Sequence, residues 1–85
     1  MSVKDEIRRR LEDVIAPREL DVADDSAAHA GHAGAPAGGE SHFSVRIRAE
    51  RFGGMSRIAR HRAVHDALGA DLMGRIHALA LDIDD

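Results

Sequence analysis

The first fifteen residues of the chain repeat apolar side chains at helical spacing. Most of these positions lie three or four residues apart, as on the buried face of a helix: Val3, Ile7, Leu11, Val14 and Ile15. The sequence from Ser2 to Asp5 resembles a capping box, and Pro17 cannot continue a helix. The pattern predicts a first helix that begins after Ser2 and ends before Pro17.

Two further segments alternate apolar and polar residues with the period of a β-strand. The alternation is weak in residues 20–23 and clear in residues 42–49. The apolar face of the second segment consists of Phe43, Val45, Ile47 and Ala49. These segments predict a short first strand, suited to a sheet edge, and a longer second strand with one face in the core.

A third strand is predicted near the carboxyl end, where His77 precedes a short apolar run. Leu79, Leu81 and Ile83 share one face of this run, and His77 has the same parity. The strand period therefore predicts that the His77 ring lies on the core-facing side, at the edge of the core.

The chain between the second and third strands is predicted to be helical. The turn sequence Phe52-Gly53-Gly54 precedes Ser56, which is a suitable N-cap. The helix predicted after it ends at Gly69, and its apolar positions are Ile58, Ala59, Val64 and Leu68. Residues 70–75 predict one or two more helical turns before the third strand.

The order of these elements predicts an α+β two-layer sandwich of αββααβ order. The first two strands can pair antiparallel, whereas the helical crossover favours a parallel, right-handed connection between the second and third strands. With so few elements, we expect residues 1–85 to form one domain whose three-stranded mixed sheet is covered by helices on one side.

Residues 25–39 cannot form a packed element, because they are almost entirely Ala, Gly, His and Pro. A loop of this length in a compact domain is usually functional or disordered, and this composition predicts a flexible one without a partner. It carries His29 and His32, and a loop can bring a ring to a fixed one. We therefore expect His77 and this loop to meet at a metal centre shared with another protein.

Composition narrows the classes of function. The net charge of −3 gives no general attraction to nucleic acid or anionic membrane, and the lack of Trp and Tyr removes the usual stacking platforms for single strands. With no cysteine, any metal must be held by His, by carboxylates or by a partner's thiolates. No apolar run resembles a signal peptide or a membrane span, so a soluble cytoplasmic protein is expected.

Four motifs occur in the order and at the spacing of BolA-like proteins, which the whole chain resembles. They are Gly39-Glu40-Ser41-His42-Phe43, Arg51-Phe52-Gly53-Gly54, Arg60-His61-Arg62-Ala63-Val64 and Ile76-His77-Ala78-Leu79. The resemblance implies the BolA variant of the type II KH-like fold, which agrees with the predicted order of elements.

The resemblance also implies a partner, a monothiol glutaredoxin, and a [2Fe–2S] cluster shared with it. In such a complex the glutaredoxin and a bound glutathione each supply a thiolate, and the BolA-like protein supplies the motif histidine, here His77, and a loop ligand. The loop ligand is His29 by counting forward from Ser26 and His32 by counting back from Gly39. The isolated chain is expected to be a monomer without cofactor and to form a heterodimer with its partner.

The alternative function is DNA-binding transcriptional regulation. Some BolA-like proteins are regarded as regulators, and Arg57, Arg60 and Arg62 on the second helix would contact phosphates. Three arginines give only weak, salt-sensitive binding. An enzyme is not expected, because the sequence has no nucleophile motif and no phosphate-binding glycine motif.

The remaining histidines have structural interpretations from the sequence. His42 begins a strand and is interpreted as turn or edge structure. His61 and His65 lie four residues apart on the second helix, a spacing that permits metal binding, but they lack the glutamate of a hydrolase motif. They are interpreted as surface residues.

Overall fold

A computed structural model of the chain describes residues 2–24 and 42–85, and these contain the predicted elements in the predicted order. The elements are α1 (Val3–Ile15), β1 (Glu19–Asp24), β2 (His42–Arg48), α2 (Arg57–Leu68), α3 (Ala70–Gly74) and β3 (Ala78–Asp84). A short 3-10 helix, Glu50–Phe52, precedes the predicted glycine turn. None of the helices in these residues is long and apolar enough to cross a membrane.

Both long helices begin at the serines that the sequence indicated. The Ser2 hydroxyl accepts a hydrogen bond from the Asp5 N–H at 3.1 Å, and the Ser56 hydroxyl accepts one from the Ala59 N–H at 3.1 Å. Each bond satisfies one of the main-chain donors that a helix leaves free in its first turn. Helix α1 ends one residue before Ala16, which adopts a left-handed conformation with φ of 54°.

The sheet has the order β1-β2-β3, so β2 is the central strand. β1 pairs antiparallel with β2, and β2 pairs parallel with β3, as predicted. Asp24 at the end of β1 pairs with Phe43, and His42 at the start of β2 pairs with Ala78. The end of β1 and the starts of β2 and β3 therefore lie at one end of the sheet.

The core lies between the sheet and the helices, which confirms the two-layer prediction. Its buried side chains come from every helix and from the inward faces of β1 and β2: Ile7, Leu11, Ile15, Val22, Phe43, Val45, Ile47, Ala49, Phe52, Val64, Ala67, Leu68 and Leu72. β3 lies at the sheet edge, where its inward side chains Leu79, Leu81 and Ile83 are only half-buried.

Two of the apolar positions in the predicted helices lie outside the core. Val14 is 52% exposed and Ile58 is 67% exposed. Val14 departs from the stripe of Ile7, Leu11 and Ile15, which are each four residues apart and face the sheet. The first fully buried residue of α2 is Val64, and Ile58 in the first turn of that helix projects into solvent.

An arginine of α1, Arg10, binds the carboxyl end of α2 and joins the two helices. The Arg10 guanidinium donates a hydrogen bond to the Leu68 carbonyl, one of the groups that the end of a helix leaves without a partner. The next residue, Gly69, has φ of 84°, and a Cβ there would lie 3.2 Å from Arg10 Nη1. Glycine therefore provides both the turn and the space for the guanidinium.

An ion pair joins α1 to the segment before β3. Arg75 donates two hydrogen bonds to the Glu6 carboxylate, at 2.9 and 3.0 Å. These bonds hold the pKa of Glu6 below its ordinary value of 4.5 and raise the pKa of Arg75. The pair fixes the chain two residues before His77.

We predict that Arg10→Met lowers the free energy of unfolding by about 1–2 kcal/mol, because it removes a charge-assisted bond to a helix carbonyl and keeps the apolar stem. Arg9→Met is the matched control, since Arg9 is exposed on the same helix and should change stability by less than about 0.5 kcal/mol. Urea unfolding followed by circular dichroism measures both. Equal effects for the two variants would contradict the structural role of Arg10.

We predict that the stabilising effect of Glu6 depends on pH. Because the pKa of Glu6 is lowered in the folded state, its contribution is present above its ordinary pKa and is lost as pH falls through the folded value. Wild type should therefore exceed Glu6→Gln in stability at about pH 7 and match it at about pH 2. Urea unfolding at both pH values measures this, with exposed Glu12→Gln as control. A difference that persists at low pH would contradict the assignment.

Candidate metal-binding site

His77 lies in the bend between α3 and β3, one residue before the strand begins at Ala78. Its side chain is exposed. The prediction that the ring faces the core is therefore wrong. The alternation of side chains starts only where the chain enters the sheet, and it does not extend back through the bend to His77.

The main chain leading to His77 is held from several directions. The Arg75 N–H bonds to the Leu72 carbonyl at 3.0 Å, and the Ile76 N–H bonds to the Met73 carbonyl at 3.2 Å. The Ile76 side chain is half-buried and packs against the core. Together with the Glu6 ion pair of Arg75, these contacts anchor the backbone while the imidazole remains at the surface.

A second histidine lies beside His77. The ring centroids of His42 and His77 are 4.9 Å apart, and the rings are tilted by 48°. His42 begins β2, as predicted, and is half-buried; because β2 is the central strand, the interpretation of His42 as a turn or edge-strand residue is wrong. A signal was available, because His42 and His77 stand at the beginnings of two strands predicted to be parallel. Parallel strands begin at the same end of a sheet.

His29 and His32 lie outside the residues that the structure describes, so their positions as metal ligands stay predictions. The ends of the segment that carries them are described. Asp24 and His42 both lie at the end of the sheet where β3 begins. His29 follows Asp24 by five residues, a length that spans at most about 18 Å when fully extended.

Two adjacent imidazoles can supply ligands to a metal ion, although they do not make a complete site. A neutral imidazole nitrogen is a good ligand for iron, zinc or copper, and such metals take four or more ligands. Within residues 2–24 and 42–85, no group of three or more His, Asp or Glu side chains is placed to hold a metal ion. A metal centre at His77 and His42 therefore needs ligands from residues 25–41 or from another molecule.

The predicted basic patch is smaller than three arginines. Arg57 and Arg62 are exposed on α2, as expected, whereas Arg60 is half-buried. His61 and His65 lie on the same helix, and with Ile58 and the two exposed arginines they line a shallow surface groove. Only two of the three predicted guanidiniums remain available for phosphate.

Arg60 is bound within the fold. Its guanidinium donates to the Phe52 carbonyl at 3.1 Å, to the Ile83 carbonyl at 3.3 Å and to the Asp84 carboxylate at 3.3 Å. The pKa of Asp84 lies below its ordinary value because the Asp85 main-chain N–H donates to the carboxylate, and Arg60 adds to this effect. Arg60 therefore fastens α2 to β3 and is not a free surface cation.

The comparisons with known proteins agree with this architecture. The family model described as BolA-like protein matches residues 11–84. BolA-like protein 1 of Mus musculus is 45% identical over 75 residues, which cover 88% of this chain and 52% of the relative. The chain thus spans about half the length of that relative.

Two further similarities cover more of both chains. The DNA-binding transcriptional regulator BolA of Vibrio cholerae is 40% identical over 79 residues, 93% of this chain and 71% of the relative. The solved structure of the BolA domain of SufE1 from Arabidopsis thaliana superposes with a TM-score of 0.82 at 39% identity, covering 99% of this chain and 92% of that one. The chain belongs to the BolA-like protein family.

Proposed function

We propose that this protein is a non-catalytic adaptor that binds a monothiol glutaredoxin and shares a [2Fe–2S] cluster with it, in iron–sulfur cluster trafficking or iron and redox regulation. The observation that carries the proposal is the pair of imidazoles, His42 and His77, at the end of the sheet where the segment bearing His29 and His32 is attached. The pair supplies part of a ligand set and calls for a partner to complete it.

The donor set fits a cluster ligated partly by nitrogen. In Rieske-type centres two imidazoles replace two thiolates on one iron. This chain contains six histidines and no cysteine, so it would supply imidazoles and the partner side would supply thiolates. His77 is the principal ligand on this model, and His32 or His29 is the second.

His42 has a place in the same site. Its ring lies beside His77 and can either hold the neighbouring imidazole in position or ligate iron itself. In both roles His42 would limit the directions in which His77 presents its nitrogen to a partner. A loop histidine then completes the set when the glutaredoxin is bound.

The choice of imidazole has chemical consequences. When bound, the cluster supplies one-electron redox chemistry and iron for transfer. Imidazoles in place of thiolates lower the negative charge around the iron, which raises the reduction potential. Histidine ligands must be neutral to bind metal, so acidification releases them. Ligation by this chain therefore favours a cluster that is readily transferred and sensitive to pH.

We predict that His77→Ala leaves the fold intact and shortens the lifetime of the shared cluster several-fold. Visible absorption and circular dichroism measure the lifetime when the protein is titrated into a cluster-loaded monothiol glutaredoxin, and size-exclusion chromatography gives the stoichiometry. His65→Ala is the matched control, because His65 is an exposed histidine on α2. An unchanged lifetime in His77→Ala would remove His77 from the site.

We predict that replacing His29 and His32 together by alanine weakens cluster ligation but keeps contact with the cluster-free glutaredoxin, since a protein interface extends beyond two rings. The single variants identify the ligand, because only one of them should reproduce the loss. Absorption of the holo complex and titration calorimetry with the apo partner separate the two effects. If the double variant keeps the wild-type spectrum and lifetime, the segment is a linker and supplies no ligand.

DNA binding is the second candidate function. It is favoured by the Vibrio cholerae relative, whose name describes a DNA-binding transcriptional regulator, and by the exposure of Arg57 and Arg62. Two phosphate contacts would give a logarithmic salt dependence of about −2 and weak affinity. It ranks second because Arg60 is engaged within the fold and the chain is acidic overall.

A further inference from the structure

The outer edge of β3 exposes main-chain groups of an apolar strand. The Ala49 N–H bonds to the Asp84 carbonyl at 3.2 Å, so the main chain of Asp84 faces β2. Main-chain groups alternate in direction along a strand. The main-chain groups of the other even-numbered residues of β3 therefore also face β2, whereas the main-chain groups of Leu79, Leu81 and Ile83 point away from the sheet.

No strand of the described residues covers this edge, because the sheet ends at β3. Within residues 2–24 and 42–85, the main-chain groups of Leu79 and Leu81 make no main-chain hydrogen bond outside the sheet, and their parity directs them away from β2. The Ile83 carbonyl accepts a hydrogen bond from Arg60. Proteins usually block exposed apolar edges with charge, bulges or proline, and an edge left open is a template for another strand.

A groove of about 500 Å³ runs beside this edge, between β3 and the first half of α2. Its apolar lining comes from Met55, Leu81 and Ile83, which are all half-buried. A strand added to β3 would place alternate side chains over these residues and complete the cover that the helices do not provide. The groove thus supplies the pockets that accompany strand addition.

The charge of the groove selects the partner. Arg57 and His61 line it and face no carboxylate in the ion pairs of the described chain. The one acidic residue of the lining, Asp82, is paired with Arg48 at 3.1 Å. Arg57 and His61 also line the second groove around α2, which contains the exposed Ile58 and no acidic residue. The part of this surface on α2 is basic and apolar, whereas Asp82, Asp84 and Asp85 are exposed at the end of β3.

We propose that the β3 edge and this groove bind an extended segment of a partner protein, which adds a fourth strand to the sheet and directs apolar and acidic side chains toward α2. Main-chain bonds to Leu79, Leu81 and Ile83 provide affinity, and the apolar groove and Arg57 provide specificity. About six residues suffice to pair with this edge.

The observations favour this occupant over two others. A second copy of the chain would meet this surface by two-fold symmetry, which opposes Arg57 and its neighbours to the same cations. DNA would engage Arg57 and Arg62 but leave the apolar lining and the main-chain edge unused. The far end of this edge lies away from the proposed cluster site, since Ile83 is about 16 Å along the strand from Ala78, whereas Leu79 is only two residues from His77.

The experiment uses a synthetic peptide in which threonine alternates with valine or glutamate, acetyl-Thr-Val-Thr-Glu-Thr-Val-Thr-Glu-amide. One face of the extended peptide is neutral, and the other carries the apolar and acidic side chains. Nitrogen–proton NMR spectra of the full chain are recorded during titration to millimolar peptide. Saturable shifts at the amides of Leu79, Leu81 and Ile83, with slowed hydrogen exchange at Leu81, are expected.

Two pairs of variants test the two parts of the proposal. Arg57→Glu should weaken binding about fivefold to tenfold, and it keeps the helix because an acidic residue is favourable in the first turn. Its control is Arg9→Glu, an exposed arginine on α1. Leu79→Pro removes an outward N–H without removing a bond to β2, whereas Leu79→Ala removes only the side chain. Binding should be weaker in the proline variant than in the alanine variant.

Several results would overturn the proposal. They are the absence of saturable shifts at the three amides, equal affinities of Leu79→Pro and Leu79→Ala in folded protein, or equal affinities of Arg57→Glu and Arg9→Glu. Shifts at these amides on dilution without peptide would assign the edge to a second copy, and shifts only with a DNA duplex would assign the surface to nucleic acid. His77→Ala should bind the peptide as wild type does, so failure of the cluster proposal is distinguishable.

Discussion

The parallel pairing of β2 with β3 is the constraint on which the rest of the structure depends. It requires a long connection, which α2 and α3 supply, and these helices cover the sheet on one side. It also brings the starts of both strands to one end of the sheet, so that His42 and His77 meet although they are 35 positions apart in the sequence. The antiparallel pairing of β1 with β2 then brings Asp24, where the segment bearing His29 and His32 begins, to the same end of the sheet.

The candidate site combines a histidine on an anchored backbone with a segment whose contribution is a proposal. His77 is exposed, but the residues before it are held by the Ile76 packing contact and by the ion pair between Arg75 and Glu6. A ligand on an anchored backbone binds metal with less loss of conformational entropy than one on a free chain. Residues 25–41 are rich in Ala and Gly, and for them we propose a contribution that depends on the partner.

Much of the fold could be predicted from the spacing of apolar residues and from the residues that begin or end helices. The serine caps, Pro17 and the alternation in residues 42–49 are local signals, and the structure follows them. The exposure of Val14 and Ile58 could not be predicted, because apolar spacing does not reveal how far the second layer extends. The role of Arg60 depends on carbonyls 8 and 23 residues away, which no local pattern shows.

The site was only partly predictable for the same reason. The motif predicts His77 as a candidate ligand, which stays a prediction, and its contact with His42 is seen only once β2 is paired with β3. The contributions of His29 and His32 remain predictions. The outward direction of the main-chain groups of Leu79 and Leu81 likewise follows from a single main-chain bond, Ala49 to Asp84, and not from composition.

The most direct test of shared ligation is pulsed electron paramagnetic resonance of the reduced cluster in the complex of this protein with a monothiol glutaredoxin. This protein is labelled with ¹⁵N-histidine, and the glutaredoxin and glutathione are left unlabelled. We predict strong ¹⁵N hyperfine couplings that appear only with the labelled chain and weaken when His77 is replaced by alanine. A spectrum unchanged by the label would show that this chain supplies no nitrogen ligand, which would contradict the proposed function.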